Sequence, residues 1–178
     1  MTENETALVP QDSLLPALSE WHQMTQMAEV LVKSGFLPAA IKTPAQAIAV
    51  IMAGRELGLP PMTALRGLYI IQGKIEMSAQ LMLALAKRSG ELEQYGEVES
   101  TAECCVYRVK RKDQEPVIGR FTLAEAKKMD IIKARGAWDS QPSVMWGWRA
   151  ISQALRLACP HFLLGGYTHG EIAIEETG

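Results

Sequence analysis

Leu68-Tyr69-Ile70-Ile71-Gln72-Gly73-Lys74-Ile75-Glu76-Met77 is where the chain changes period. Two short runs rich in β-formers flank Gln72-Gly73, and glycine in a two-residue connection supplies the positive φ that a tight hairpin turn requires. Helical signals stand on both sides. Upstream, Pro60 and Pro61 open a short helical turn through Leu65. Before it, Thr43 caps a helix, Pro44 fits the first turn and Gln46 completes a capping box, with Gly58 as the stop. Downstream, Ser78 caps a helix that continues to Arg88 and closes at Gly90. Helices flanking a hairpin, without strand–helix alternation, predict an α+β fold.

The same reading extends to both ends. Trp21, Met24, Ala28 and Leu31 recur at three- and four-residue spacing, which predicts a first helix from Ala17 to a stop at Gly35. A second hairpin is expected from Glu103–Arg111 and Pro116–Phe121, with residues 112–115 as its turn. Thr122 and Glu125 form another capping box, for a short helix to Met129. Asp130 to Gln141 has no clear period and reads as a loop. The last helix runs from about Pro142 to Ala158, before Pro160. The expected architecture is a small antiparallel sheet of β-hairpins packed with several helices. Residues 1–16 read as a flexible acidic arm, 17–168 as one core and 169–178 as an acidic tail.

With 178 residues, 48% of them hydrophobic, the chain can bury a core without disulfides or metal. Cys104, Cys105 and Cys159 lack zinc-finger spacing, so no metal or other cofactor is expected. The apolar run Ala47 to Ala53 is far shorter than the ~20 residues that cross a bilayer. Met1 to Leu18 lacks the basic start and apolar stretch of a signal peptide, so the expected location is the cytoplasm, with no membrane partner. The net charge is −2, but it is unevenly distributed. Residues 1–100 hold 7 Lys and Arg against 11 Asp and Glu, whereas residues 101–168 hold 11 against 6. A net +5 segment between acidic ends points to an acidic partner such as nucleic acid, or to a solvated face.

Three groups of residues could carry such binding. In the second hairpin, alternation places Cys105, Tyr107 and Val109 on one face and Arg108 and Lys110 on the other; if Arg120 pairs on the polar side, three cations form a patch. On the last helix, Val144, Trp148, Ile151, Leu155 and Ala158 form a predicted buried stripe. A different face carries Trp146, Arg149, Gln153 and Arg156 along about 15 Å, at ~1.5 Å per residue. Guanidinium groups grip phosphates and aromatic rings stack on unpaired bases, so this face suits a single strand. Equally, Trp146 can be core and the arginines can pair with acids. The preceding loop adds Lys133, Arg135 and Trp138 around Gly136, either as a binding loop or with the tryptophan pinning it to the core.

Signals for catalysis are poor. His22, His161 and His169 lack metal-binding spacing, no paired-carboxylate motif stands out, and the phosphate-binding Gly-x-x-x-x-Gly-Lys-Ser/Thr loop is absent. Gly54 and Gly58 end a helix and read as structural. Cys104 and Cys105 lie in a strand, where buried small hydrophobes are the default. The expectation is a protein without an active-site nucleophile.

Thr43-Pro44-Ala45-Gln46-Ala47, Gly54-Arg55-Glu56-Leu57-Gly58-Leu59-Pro60-Pro61-Met62-Thr63-Ala64-Leu65 and Leu68-Tyr69-Ile70-Ile71-Gln72-Gly73-Lys74 together resemble the opening core of phage RecT-like (RecT/Redβ) single-strand annealing proteins. Arg108-Val109-Lys110-Arg111, Phe121-Thr122, Glu125-Ala126-Lys127-Lys128, Gly136-Ala137-Trp138, Arg149-Ala150-Ile151-Ser152, Leu155-Arg156 and Gly166-Tyr167 continue the likeness, which spans about residues 25–176. The resemblance implies ATP-independent binding of single-stranded DNA and pairing of complementary strands through an annealed duplex intermediate. It further implies homo-oligomeric rings or filaments, and a phage exonuclease or host single-strand-binding protein as partner in a bacterial cell. The rival expectations are a non-annealing DNA-binding or regulatory protein using the same basic face and, less favoured, a metal-dependent nuclease.

Overall fold

A computed structural model describes residues 16–132 and 136–160 of the chain. Among these residues the fold is α+β, with seven helices and two small antiparallel sheets of two and three strands. The chain forms two compact units that divide between Ile75 and Glu76. Residues 1–15 of the expected arm, the acidic tail, Lys133, Arg135, His161, His169 and Gly166-Tyr167 lie outside the described residues.

The first unit contains α1 (Leu18–Lys33), α2 (Pro44–Glu56), α3 (Pro61–Gly67) and β1 (Leu68–Ile71). Local chemistry starts α2 where the sequence places it: Thr43 Oγ1 accepts from Gln46 N at 3.2 Å, and Gln46 Oε1 accepts from Thr43 N at 3.1 Å. That reciprocal cap satisfies amide donors the helix would otherwise leave open. Ala28, Ala47, Val50, Ile51, Ala64 and Leu65 are buried in this unit. Gly54 is structural, as expected, because a Cβ there would collide with the Ala64 side chain. The hairpin turn also follows the sequence: Gln72 and Gly73 have φ of 49° and 78° between β1 and β2 (Lys74–Met77).

The second unit begins with α4 (Ala79–Arg88), capped by Ser78 Oγ accepting from Leu81 N at 3.1 Å. The three-stranded sheet follows in the order β3 (Leu92–Ser100), β4 (Cys104–Arg111), β5 (Val117–Thr122). β4 and β5 are the expected second hairpin. β3 is an addition to the sequence reading, and most of its residues are exposed. Its register with β4 shifts twice, between Leu92 and Gln94 and between Glu97 and Glu99, so Glu93 and Val98 are the extra residues of two bulges. Thr122 caps α5 (Leu123–Lys128) through the predicted box with Glu125.

A further difference lies in the segment read as loop, which holds a short helix, α6 (Ala137–Ser140). α7 (Pro142–Ala158) has the expected bounds and packs against β4, β5, α4 and α6. It comes very close to β5: a Cβ on Gly119 would run into the Ala150 carbonyl and the Ala154 amide. Its far end is tied to β4, where Arg111 donates to Glu91 and to the Ala158 carbonyl, the latter at 2.9 Å. A cation on a last-turn carbonyl satisfies an acceptor that the helix leaves open.

Candidate nucleic-acid interface

The strand register decides which side chains the sheet presents to solvent. Cys105 pairs with Phe121, Tyr107 with Gly119 and Val109 with Val117, so these residues share one face. That face meets α7, and Cys105, Val109 and Phe121 are buried. Val106 pairs with Arg120 and Arg108 with Ile118, placing Arg108, Lys110 and Arg120 together on the opposite face. The expected polar patch therefore forms. Arg108 and Arg120 are exposed, and neither side chain makes a hydrogen bond or ion pair among the described residues. Lys110 is engaged: its Nζ lies 2.9 Å from Glu93 Oε1, with both side chains partly exposed.

Three more residues belong to this surface, and two of them, Gly96 and Gln94, escape a reading of the second hairpin alone. Gly96 lies opposite Arg108 on β3, Gln94 lies opposite Lys110, and Ile118 is 50% exposed between the strands' cations. The signal for Gly96 and Gln94 was the third strand, which alone brings them alongside β4. On α5, Lys127 and Lys128 are exposed as well.

The helical stripe requires correction. Trp146 and Arg149 are 5% and 7% exposed, so the face expected to line a strand instead forms much of the helix–sheet core. Trp146 packs with Cys105, Phe121, Ala126 and Ala150. The Arg149 guanidinium lies 5.8 Å from the Phe121 ring centre and 5.9 Å from that of Trp138. Gln153 Oε1 accepts from the Arg120 backbone amide at 3.3 Å, a bond that ties α7 to β5. Arg156 is half-buried, with Nε and Nη2 shielded from solvent. The physical reason is the sheet: α7 must pack closely against β4 and β5, and the narrow residues Gly147, Ala150 and Ala154 lie on that side. In the predicted buried stripe, Ile151, Leu155 and Ala158 are buried, but Val144 is 48% exposed. Trp138 is half-buried, 5.9 Å from Phe121, and pins α6 to the same core.

Burial also sets the thiol chemistry. The Cys105 thiol is pushed up to about 11 by burial first and by the Glu97 carboxylate second, so it stays protonated at neutral pH. Burial likewise raises the Cys159 thiol. Among the described residues no group of three His, Cys, Asp or Glu could hold a metal ion, and no helix is long and apolar enough to cross a membrane. No family model matches the chain, and no curated protein matches it.

Proposed function

We propose that this chain is an ATP-independent single-stranded DNA-binding and strand-annealing protein of the RecT-like kind, with the exposed sheet face as its DNA surface. The observation that carries this reading is the register that aligns Arg108, Lys110 and Arg120 on one solvent-facing side. The ordered set of RecT-like motifs supports it. Cations on a sheet face would hold the phosphate backbone and release its counterions. Neutralised phosphates lower the repulsion between two complementary strands, which is the chief electrostatic barrier to pairing. No covalent bond is made or broken in such a reaction, so the reading requires no nucleotide hydrolysis and no metal-activated nucleophile. Homo-oligomeric rings or filaments would align many such faces, and an exonuclease or a single-strand-binding protein would supply or relinquish the strands.

One observation favours a second reading. With Trp146 and Arg149 buried, the surface is a charge patch with fewer aromatic contacts than the sequence promised, which suits a DNA-binding protein that does not anneal. Annealing of two labelled complementary oligonucleotides in EDTA separates the possibilities. The annealing protein accelerates pairing without divalent metal; a simple binder coats the strands and leaves the pairing rate unchanged. A nuclease would instead shorten the strands, and only when metal is restored.

A further inference from the structure

We infer that Gly96 keeps open a hollow beside Arg108 that receives one unstacked nucleotide of the bound strand, an inference that rests on the single-strand reading above. Gly96 lies within the nine-residue strand β3, directly opposite Arg108. Glycine inside a strand weakens it, and where it persists it often marks close approach of a ligand or another backbone. Neither the backbone nor the packing demands it here. Its φ lies outside the left-handed region, and a Cβ built on it meets nothing within 4 Å. What the glycine leaves is space.

That space is a hollow of about 370 Å³, lined by residues 93–98 of β3 and by Arg108. Its volume is at the low end of the ~300–1,000 Å³ typical of small-molecule sites. The two bulges, at Glu93 and Val98, stand on either side of Gly96 and bend the strand around it. The lining combines two chemistries. Arg108 offers an unengaged cation for a phosphate. Gln94, opposite Lys110 and so on the same face as Arg108, offers an amide oxygen that accepts from an exocyclic amino group of a base. A phosphate alone would engage only Arg108, whereas a nucleotide also meets Gln94. A paired base cannot enter, so the hollow discriminates a single strand from a bare polyanion.

The test uses the full chain carrying Gly96→Val, titrated with a mixed-sequence single-stranded oligonucleotide and, separately, with heparin. Valine favours strands, so the melting temperature should hold or rise. Affinity for the oligonucleotide should fall by about fivefold or more, the scale of one lost base contact, while heparin affinity stays unchanged. Gly96→Ala, which adds a single methyl group in open space, should show a smaller loss in the same order and carries the test if the valine variant does not fold. Unchanged oligonucleotide affinity in a folded variant, or equal losses for both polymers, would overturn the hollow while leaving the annealing reading intact. A wild-type chain with no single-strand affinity would overturn that reading, and this ligand with it.

Discussion

The Arg149 guanidinium stands 5.8 Å from the centre of the Phe121 ring, within the core that joins α7 to the sheet. A cation held over an aromatic face and withdrawn from water contributes about 2 kcal/mol. Arg149→Ala should therefore lower stability in urea by about that amount. Arg149→Lys should recover only part of it, because an ammonium lacks the planar, delocalised guanidinium that lies near both the Phe121 and Trp138 rings. With both variants folded, single-strand affinity should match wild type. A selective loss of DNA binding at unchanged stability would place Arg149 in the DNA site after all.

Gly119 presents the opposite situation to Gly96. Its missing Cβ is the space α7 occupies, with the Ala150 carbonyl and Ala154 amide against it. Backbone cannot yield as a flexible side chain does, so Gly119→Ala should cost about 1–3 kcal/mol. At ~2–4 °C per kcal/mol for a chain of this size, the melting temperature should fall by several degrees. An unchanged melting temperature would mean that α7 stands further from β5 than described.

How much of this was legible follows from the range of the interactions involved. The Thr43–Gln46 and Thr122–Glu125 boxes and the Gln72-Gly73 turn are settled within four residues, so the sequence displays them directly. β3 is different. Glu93, Gly96, Glu97 and Glu99 have poor strand propensity, and the strand forms because β4 offers it backbone partners. The orientation of α7 was hidden for a similar reason. Its sequence shows two plausible inner faces, and the choice depends on the sheet and α4 that pack around it. The line Gly147, Ala150, Ala154 beside Trp146 and Arg149 was the available signal, because a helix packs closely where its side chains are small.

Arg108 and Arg120 are the direct test of the sheet face. Arg108→Ala and Arg120→Ala should each weaken single-strand binding and reduce the salt slope by about 0.7, the change from one lost phosphate contact. Both residues are exposed, so stability should stay within about 0.5 kcal/mol of wild type. Affinity and slope unchanged in both variants would remove this face from the DNA site.

Cys105 makes a pH-dependent prediction. Burial and Glu97 raise its thiol from an ordinary 9.0 to about 11. The folded chain therefore keeps this proton after the unfolded chain has released it. The stabilisation is fully present below about pH 9 and is lost as pH climbs towards 11. Urea unfolding across that window should show wild-type stability declining more steeply than that of Cys105→Ala. Parallel declines would mean that the thiol titrates normally in the fold.

Glu93 gives the sign opposite to the arginine variants. Its carboxylate holds Lys110 at 2.9 Å, with side chains 39% and 33% exposed. A pair in that setting contributes ~0–1 kcal/mol, so Glu93→Gln should leave stability nearly unchanged. What it changes is competition: the carboxylate occupies a cation that would otherwise meet phosphate. Freeing Lys110 should raise single-strand affinity by about two- to fivefold at low salt and steepen the salt slope by up to ~0.7. The bulge makes this a local effect, because the extra residue at position 93 brings the carboxylate to Lys110. Glu103→Gln, an exposed acid beside the start of β4, removes the same charge without freeing a cation and should gain less. In Glu93→Gln with Lys110→Ala the gain should vanish, since no released ammonium remains. Equal gains from Glu93→Gln and Glu103→Gln would instead show that only net charge matters and that Lys110 does not meet the strand.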